Sequence, residues 1–545
     1  MKASNERTSQ LDSIAKTDYD LIVIGGGITG AGIALDASSR GLKTLLLEKR
    51  DFASGTSSKS TKLIHGGLRY LKQFEIALVR EVGMERAVVH SLAPHLVRSE
   101  KMLLPLIKDG TYGKILTSLG LMVYDVLAGV EKADQRKMMS KEETLGLEPL
   151  LKEEILDGGG IYAEYRTDDA RLTIEVLKTA TRYGTDVLNY AKVTDFLYDD
   201  HEQICGVTWR DQLSKAAYQS KARYVINATG PWVDKVRSKD EDVKGKHLRP
   251  TMGIHIVVPR EKLPIKHAVY FDEPQGRMLF AIPRDRTTYV GTTDTNYTGD
   301  LDELMVTKED VQYLVDGANH IFPKSVIGIE DVESTWVGLR PLIEEEGKSA
   351  SEVSRKDEIF ESDSGLLSIA GGKLTGYRKM AERIVNRIAK KEASVGNELT
   401  PCITHQIVLA GGPFDGSKEV DRYTETIERQ LDTSGLGHLA NYLVSNYGKQ
   451  TDEIIALFQN REEEDAEVRL GLSELSFALQ HESTFTLLDF FERRTGRLYF
   501  NIRSIEKLKE HVGKEMAAYH HWDSGKKEKE FKALEAALKR SSHFI

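Results

Sequence analysis

The first fifty residues contain two short hydrophobic runs on either side of a helix-forming stretch. Residues 19–24 are mostly apolar and end at Gly25, and residues 42–47 are apolar again. Residues 31–40, between the runs, contain good helix formers and are followed by Gly41. The order of strand, glycine turn, helix and strand predicts a βαβ unit with two parallel strands.

Runs of strand length return in the middle of the chain, at residues 222–232, 252–259, 286–295 and 365–380. Together with the helical stretches between them, they predict an α/β sheet that is interrupted by a second, more antiparallel lobe. Beyond Pro401, apolar residues lie three and four positions apart within charged stretches, as at Phe531, Leu534 and Leu538. That spacing is typical of amphipathic helices and predicts a separate helical domain.

Three glycines in the first turn have the spacing GxGxxG. Gly25 permits a tight turn, Gly27 lets the backbone approach a pyrophosphate, and Gly30 lets the helix pack closely on the sheet. Glu48 ends the second strand, eighteen residues after Gly30, where a carboxylate accepts hydrogen bonds from ribose hydroxyls. The motif predicts a bound dinucleotide but does not decide between NAD and FAD.

A second glycine-rich segment, GGKLTGYRKMAERI at residues 371–384, favours FAD. It places Lys373 at the start of a predicted helix. A reduced flavin carries negative charge around N1 and O2, which a helix N-terminus and a lysine stabilise. Nicotinamide has no such need, so we expect FAD as the cofactor.

Charge and cysteine usage exclude other classes of protein. Lysine and arginine number 75 against 84 aspartate and glutamate, a formal charge of −9, which argues against nucleic acid as a partner. Cys205 and Cys402 are too far apart for a CxxC pair and too few for a disulfide framework, which fits a reducing cytoplasm. No histidine or cysteine cluster has the spacing of a metal site, so no metal is expected.

No run in the chain reaches the roughly eighteen apolar residues of a membrane-spanning helix. Residues 115–130 come nearest and are interrupted by Ser118 and Asp125. They fit either a helix in a domain core or an amphipathic helix on a membrane surface. Residues 1–18 lack the apolar region of a signal peptide and are predicted to be a polar leader.

Several motifs together resemble the FAD-dependent (respiratory, aerobic) glycerol-3-phosphate dehydrogenases, in the D-amino acid oxidase-like superfamily. The resemblance extends from end to end through GGGITGAG, SSKSTKLIHGGLRYL, INATGPW, GIHIVVP, VGLRPL, SRKDEIF, GGKLTGYR and DFFERRTGRL. It implies an α/β flavoprotein: a Rossmann-like FAD-binding domain of the D-amino acid oxidase or p-hydroxybenzoate hydroxylase type, a mixed antiparallel substrate lobe and a C-terminal all-helical domain. We expect the FAD-binding domain at residues 19–90, 156–245 and 335–395, the substrate lobe at 91–155 and 246–334, and the helical domain at 396–545.

The resemblance also implies an activity and a location. The reaction is oxidation of sn-glycerol 3-phosphate to dihydroxyacetone phosphate, by hydride transfer from C2 to flavin N5, with electrons passed to a membrane quinone. The protein is then expected in the cytoplasm, peripherally attached to the inner face of the cell membrane, and a homodimer is possible. Competing hypotheses are an oxidase of the same fold that reduces oxygen, a redox-silent FAD-binding scaffold and a plain NAD dehydrogenase.

A phosphorylated substrate needs cations and a base, and the motifs supply candidates for both. The resemblance places Arg340 and Arg355 on the phosphate, which suits the bidentate geometry of guanidinium, and Arg69 and Tyr70 in the same pocket. His255 and His65 compete as the base, because neutral imidazole is available near neutral pH. We favour His255, with His65 beside the flavin and Lys373 assisting at the flavin edge or the substrate oxygens.

The remaining predicted site residues contact the cofactor. Four of them lie after the second predicted strand, and Thr375 is expected at the pyrimidine edge of the flavin. The set comprises Thr56, Ser57, Lys62 and Leu63, which are expected to wrap the cofactor with backbone and hydroxyl groups, the backbone at Val193, and Thr375.

Overall fold

The computed structural model describes residues 1, 6–65, 76–108, 136–345 and 356–544. Its strands are β1 (Tyr19–Ile24), β2 (Thr44–Leu47), β3 (Leu63–Ile64), β4 (Arg98–Ile107), β5 (Lys137–Met139), β6 (Leu156–Arg166), β7 (Asp186–Leu188), β8 (Ala191–Tyr198), β9 (Ile204–Asp211), β10 (Ala217–Asn227), β11 (Lys246–Pro259), β12 (Ala268–Asp272), β13 (Met278–Arg284), β14 (Thr287–Gly291), β15 (Thr295–Asn296), β16 (Ser334–Glu345), β17 (Glu358–Glu361) and β18 (Leu367–Ala370). Its α-helices are α1 (Arg7–Ala15), α2 (Ile28–Ser39), α3 (Ile76–Leu92), α4 (Lys141–Leu147), α5 (Asp169–Arg182), α6 (Val233–Arg237), α7 (Lys308–Ile321), α8 (Tyr377–Ser394), α9 (Gly416–Asp432), α10 (Ala440–Tyr447), α11 (Thr451–Gln459), α12 (Ala466–His481), α13 (Arg497–Phe500), α14 (Ile502–Tyr519) and α15 (Ser524–Ser542).

The first sheet is parallel at its centre, in the order β18, β10, β1, β2, β7. β1 and β2 are almost entirely apolar because both of their faces are buried, one against helices α2, α5 and α8 and the other against β8, β9 and α1. α2 follows the glycine turn and packs with α5 and α8 in the core of this lobe. The predicted βαβ unit is therefore present. β17 adds an antiparallel edge, and β8 and β9 extend the long strand β10.

The second sheet is mixed and mainly antiparallel, in the order β15, β11, β14, β13, β12, β4, β6, β3. β16 pairs with β11 along twelve residues, from Lys246 opposite Glu345 to Val257 opposite Ser334. One hydrophobic core joins this sheet to α7, and another joins it to the helical domain. The predicted α/β flavoprotein class, with a mixed antiparallel lobe and a helical domain, agrees with this architecture.

Strand pairing differs from the predicted division of the chain at two places. We expected residues 156–245 and 335–395 in the cofactor domain, but β6 pairs with β4 and the whole of β16 pairs with β11, both in the second sheet. The apolar pattern of a strand indicates that the strand is buried, but it does not indicate which other strand it pairs with. β6 and β16 belong to the second lobe because their pairing partners, β4 and β11, are distant in the chain.

The predicted polar leader contains a packed helix, α1. Leu11 and Ile14 are buried on its inner side. Arg7 donates to the carbonyl of Asn189 at 2.7 Å and to Asp211 Oδ1 at 2.6 Å. Nine residues with two large apolar side chains give too short a pattern to identify a helix from the sequence, and these tertiary contacts stabilise it.

The C-terminal helices pack against the second sheet. The Trp336 ring of β16 lies 5.4 Å from Tyr499 and 5.7 Å from Phe500, between ring centroids. Within the described residues, no helix has the length and apolar character needed to cross a bilayer. Residues 115–130, predicted to lie in a core or on a membrane surface, are outside the described residues.

A buried ion cluster joins the helical domain to the loop after β2. Asp51 accepts two hydrogen bonds of 2.8 Å from the Arg494 guanidinium and one of 2.5 Å from Arg493 Nε. Asn189 Nδ2 adds a fourth at 3.0 Å. Burial alone would raise the pKa of Asp51, but Arg494 and Arg493 outweigh it and lower the pKa to about 2. Asp51 is only three residues from Glu48, so this cluster fixes the end of β2 against the helical domain.

His95 gives the protein a sensitivity to mild acid. Burial and the charges of Arg171 and Arg98 lower the pKa of His95 to about 3. Within the described part of the chain, neither ring nitrogen has a hydrogen-bond partner. An unfolded histidine titrates near 6.5, so the stabilising contribution of neutral His95 is complete above that pH and declines as pH falls from about 6.5 toward 3.

We expect His95→Leu to reduce the acid dependence of stability between pH 6 and pH 4. The slope of unfolding free energy against pH should fall by up to about 1.4 kcal/mol per pH unit, because one proton no longer distinguishes the two states. Urea unfolding at several pH values measures this slope. His201→Leu, at an exposed turn, is the control. Equal slopes for His95→Leu and the wild type would contradict the conclusion that buried, neutral His95 makes stability depend on pH in this range.

Candidate functional site

A cavity of about 730 Å³ lies between the two sheets. One side is formed by the carboxyl ends of β1, β2, β10 and β18 and the loops that follow them. The other side is formed by β11 and β16. Ligands of parallel sheets bind at the carboxyl ends of the strands, and here the antiparallel sheet covers that position.

The glycine turn forms one end of the cavity, at the N-terminus of α2. Gly25 has a φ of +113°, and a Cβ there would lie 2.6 Å from the Ala228 carbonyl oxygen. A Cβ on Gly30 would lie 1.9 Å from the Gly25 carbonyl oxygen. Ser57 Oγ accepts a 2.9 Å hydrogen bond from Ile28 N and so holds the first turn of the helix. Gly25 and Gly27 line the cavity, whereas Gly30 lies behind them at the helix contact.

Glu48 also lines the cavity, at the end of β2. Its carboxylate accepts 2.7 Å and 2.8 Å hydrogen bonds from the backbone N–H groups of Gly26 and Arg50. Burial raises the pKa of Glu48 above its ordinary value, although these two N–H groups oppose the shift. A carboxylate oxygen can accept a second hydrogen bond, so Glu48 can also receive hydrogen bonds from a pair of ribose hydroxyls on the cavity side.

The far end of the cavity is formed where β18 leads into α8. Gly371 and Gly372 have φ values of +75° and +74° and turn the chain into the cavity wall. Lys373 and Thr375 follow them in this wall, together with His65. The Thr375 hydroxyl donates to the His65 carbonyl at 3.4 Å. The predicted flavin-edge lysine and one of the two candidate bases therefore lie at the same end.

Two paired glycines form a flat floor in the second sheet. Gly253 of β11 lies opposite Gly338 of β16. Two positions away on either side are the pairs Thr251 with Arg340 and His255 with Trp336. Side chains two residues apart share a face of a strand, so Arg340 and His255 flank the floor on one face.

The Arg340 guanidinium lies directly over Gly253. A Cβ on Gly253 would come within 2.4 Å of Arg340 Nη2. Nη2 donates to Thr292 Oγ1 at 2.9 Å, and Nη1 lies 3.3 Å from Asp294 Oδ1. The side chain remains 28% exposed, so it is accessible to a ligand in the cavity.

His255 is buried and oriented on both sides of its ring. Its Nε2 lies 3.0 Å from Thr61 Oγ1, and its ring stacks on Trp336 with centroids 4.7 Å apart and an angle of 10°. Its Nδ1 has no hydrogen-bond partner within the described residues. Burial, with the charges of Arg340 and Lys62, holds the pKa of His255 well below its ordinary value. The imidazole is therefore neutral at neutral pH and has a low proton affinity.

The cavity wall contains most of the predicted site residues that the structure describes. They are Gly25, Gly27, Glu48, Thr56, Ser57, Leu63, His65, Val193, His255, Arg340, Lys373 and Thr375. Three predicted pocket residues, Arg69, Tyr70 and Arg355, lie outside the described residues.

Lys62 is placed differently from the prediction. It is absent from the cavity wall, and its buried ammonium lies 2.5 Å from Asp169 Oδ1 and 3.5 Å from Asp168 Oδ2. A buried cation requires a carboxylate partner, and these two come from the start of α5, more than a hundred residues away. The pattern SSKSTKL gave no indication of that partner.

Other residues of the wall were not identified from the sequence. Lys59 and Thr61 lie in the same loop as Thr56, and Trp232 lies in the quoted motif INATGPW. Gly253 and Gly338 were also missed. Their period of two with His255 and Arg340 was visible in GIHIVVP and VGLRPL, and it would have placed these glycines on the same face.

The fold and cavity together define a dinucleotide-binding protein of two lobes with an added helical domain. A family model described as FAD dependent oxidoreductase matches residues 20–378, and one described as C-terminal domain of alpha-glycerophosphate oxidase matches residues 402–527. The chain is 49% identical over 541 residues to the aerobic glycerol-3-phosphate dehydrogenase of Bacillus subtilis (strain 168), covering 98% of this chain and 97% of that one.

Solved structures give the same result. The glycerol-3-phosphate dehydrogenase from Bacillus halodurans complexed with FAD is 41% identical and has a TM-score of 0.84 over 99% of both chains. The L-alpha-glycerophosphate oxidase from Mycoplasma pneumoniae shares the fold, with a TM-score of 0.56 at 19% identity over 71% of this chain and 97% of that one. The chain belongs to the glycerol-3-phosphate dehydrogenase family of FAD-dependent oxidoreductases.

The residues present fit an FAD cofactor. The glycine turn leaves room for a diphosphate at the N-terminus of α2, and Glu48 presents acceptors for a ribose. Trp232 Nε1 is buried in the wall without a partner among the described residues, which marks a donor for a bound molecule. Lys373 supplies a cation at the opposite end, where an electron-rich ring requires one.

Proposed function

We propose that this protein oxidises sn-glycerol 3-phosphate to dihydroxyacetone phosphate with FAD and passes the electrons to a membrane quinone. The observation that carries the proposal is the near full-length 49% identity to aerobic glycerol-3-phosphate dehydrogenases. The cavity supports it, because a cation and a neutral imidazole flank the glycine floor between them.

In this proposal Arg340 binds the substrate phosphate. Its guanidinium is held over Gly253 by Thr292 and Asp294 and is the described arginine on the floor of the cavity. A guanidinium matches two phosphate oxygens at once, which fixes the direction of the bound substrate as well as its affinity. The carbon bearing the secondary alcohol then lies in the cavity between the Arg340 guanidinium and His255.

His255 takes the proton of the substrate hydroxyl. Its low pKa keeps the imidazole unprotonated, and proton transfer becomes favourable only as the alcohol loses its hydride. When bound, FAD supplies the two-electron acceptor for that hydride. Trp336 holds the imidazole plane from below, and Tyr499 and Phe500 of the helical domain support Trp336. The helical domain thus contributes to the orientation of the base.

The electron acceptor and the location complete the proposal. We place the protein at the inner face of the cell membrane, where a quinone is available to accept the electrons. The segment proposed to contact the membrane, residues 115–130, lies outside the described residues, so the resemblance described above supports this location. Vesicle sedimentation tests the location directly, and an active protein that remains in the supernatant would contradict it.

The visible spectrum of the purified protein tests the reaction. We expect a flavin spectrum that bleaches when sn-glycerol 3-phosphate is added without air and returns when a short-chain quinone is added. Glycerol, which lacks the phosphate, is the control and should leave the spectrum unchanged. A bound flavin that stays oxidised with sn-glycerol 3-phosphate would refute the proposed reaction.

A further inference from the structure

A segment of the second lobe crosses to the first lobe beside Glu48. It leads from β15 to α7, and its Asp302 lies in the cavity wall. Asp302 Oδ1 lies 2.9 Å from Lys49 Nζ and also pairs with Arg50 Nη2. Lys49 and Arg50 directly follow Glu48, so the contact joins the two lobes at the dinucleotide end of the cavity.

The contact continues as a stack of side chains. Lys49 Nζ lies 4.0 Å from the centroid of the Trp232 ring, and the Arg50 guanidinium lies 5.4 Å from it. Trp232 in turn packs on Gly55, where a Cβ would lie 3.2 Å from its ring. The stack thus connects Gly55, in the loop after β2, with Asp302 of the second lobe.

We infer that Asp302, Lys49, Arg50 and Trp232 form a clasp that closes the adenosine end of the cavity and retains the cofactor. The loops of the first lobe would hold one side of the cofactor, and Asp302 joins the second lobe to them through Lys49 and Arg50. Release of a bound dinucleotide then requires that Asp302 separates from its two cations. The inference concerns cofactor retention and rests on the proposed FAD, but not on the identity of the substrate.

The charges around the clasp favour this arrangement. Lys235 and Lys239 lie in the same part of the wall. Lys239 donates to the Thr194 carbonyl at 2.9 Å, and Lys235 lies 3.7 Å from Asp300. Partial burial alone would raise the pKa of Asp302, but the hydrogen bond from Lys49 and the charges of Lys49 and Arg50 lower it. Asp302 is therefore ionised at neutral pH and attracted to a basic rim.

The rate of FAD release from the purified holoenzyme tests the clasp. After dilution to nanomolar concentration, the fluorescence of free FAD reports release without any measurement of activity. We expect Asp302→Asn to release FAD about tenfold faster than the wild type at low salt. Asp300→Asn is the matched control: it neutralises a carboxylate of the same segment that lies 3.7 Å from Lys235, and its amide oxygen can still accept the 3.0 Å hydrogen bond from Asp302 N.

Two further measurements distinguish the clasp from a general loosening of the fold. The ratio between the release rates of Asp302→Asn and the wild type should approach one at 1 M NaCl, where charges are screened over about 3 Å. Arg50→Gln should also speed release, and the double variant should be no faster than about the faster single variant.

Equal release by Asp302→Asn and the wild type at low salt would overturn the inference, as would equal effects of Asp302→Asn and Asp300→Asn. A ratio that does not change with salt would also overturn it. A wild-type protein that contains no flavin would instead refute the proposed function. The two failures are therefore distinguishable.

Discussion

Replacing Arg340 with methionine should raise the KM for sn-glycerol 3-phosphate on the order of 100-fold while leaving the flavin content unchanged. Truncating one partner of a charge-assisted pair costs about 2–5 kcal/mol, and each factor of ten corresponds to about 1.4 kcal/mol. The discrimination between sn-glycerol 3-phosphate and glycerol should fall by a similar factor, because glycerol has no phosphate to bind. Steady-state kinetics with both compounds, together with the flavin absorbance, measures this.

Two variants sharpen the Arg340 test. Arg249→Met is the control, since Arg249 lies on β11, pairs with Glu344 at 2.8 Å and is absent from the cavity wall. Gly253→Ala should raise the KM about tenfold, because the new Cβ would lie 2.4 Å from Arg340 Nη2 and displace the guanidinium. A KM for Arg340→Met within twofold of the wild type would remove Arg340 from the phosphate site.

Asp51→Asn should destabilise the protein by about 3–5 kcal/mol, the usual cost of breaking a buried ion pair by removing one partner. The amide keeps the size of the side chain but leaves the buried charges of Arg493 and Arg494 without their shared carboxylate. We expect a fall of about 5–10 °C in the midpoint of thermal unfolding. We also expect faster proteolysis around residues 396–402, because Asp51 joins the helical domain to the end of β2.

The comparison for Asp51→Asn is Asp20→Asn. Asp20 also pairs with an arginine, at 2.8 Å from Arg223 Nη2, but that arginine side chain is 48% exposed. Exposed pairs contribute about 0–1 kcal/mol, so Asp20→Asn should unfold close to the wild-type midpoint. The Asp51 carboxylate contributes to the stability of the fold above about pH 4, and this contribution is lost as pH falls toward 2. The reason is that the pKa of Asp51 is lower in the folded state than in the unfolded state. Equal midpoints for the two variants would contradict the role of the cluster.

The cofactor half of the site was predictable because its signals are local. Gly25, Gly27 and Gly30 lie within six residues, and the backbone geometry that needs them is formed by the same segment. Glu48 ends the neighbouring strand of the same βαβ unit. A local pattern of this kind can be recognised without knowledge of the rest of the fold.

The prediction of the substrate half of the site depended on the family resemblance more than on the individual residues. Arg340 and His255 are 85 positions apart, and either one alone is typical of a surface or core residue. The pairing of β11 with β16 brings them to one face, with Gly253 opposite Gly338. The stacking of His255 on Trp336 also arises only from that pairing.

The sequence by itself determined the βαβ turn, the helical character beyond Pro401 and the chemical types of the candidate site residues, since each of these depends on neighbours in the chain. The tertiary structure decided which sheet contains β6 and β16, that Lys62 pairs with Asp169, and that Asp51 meets Arg494 across 443 positions. The physical reason is the same in each case. A buried charge or a strand edge must find a partner, and a partner distant in the chain is set by the packing of the whole molecule.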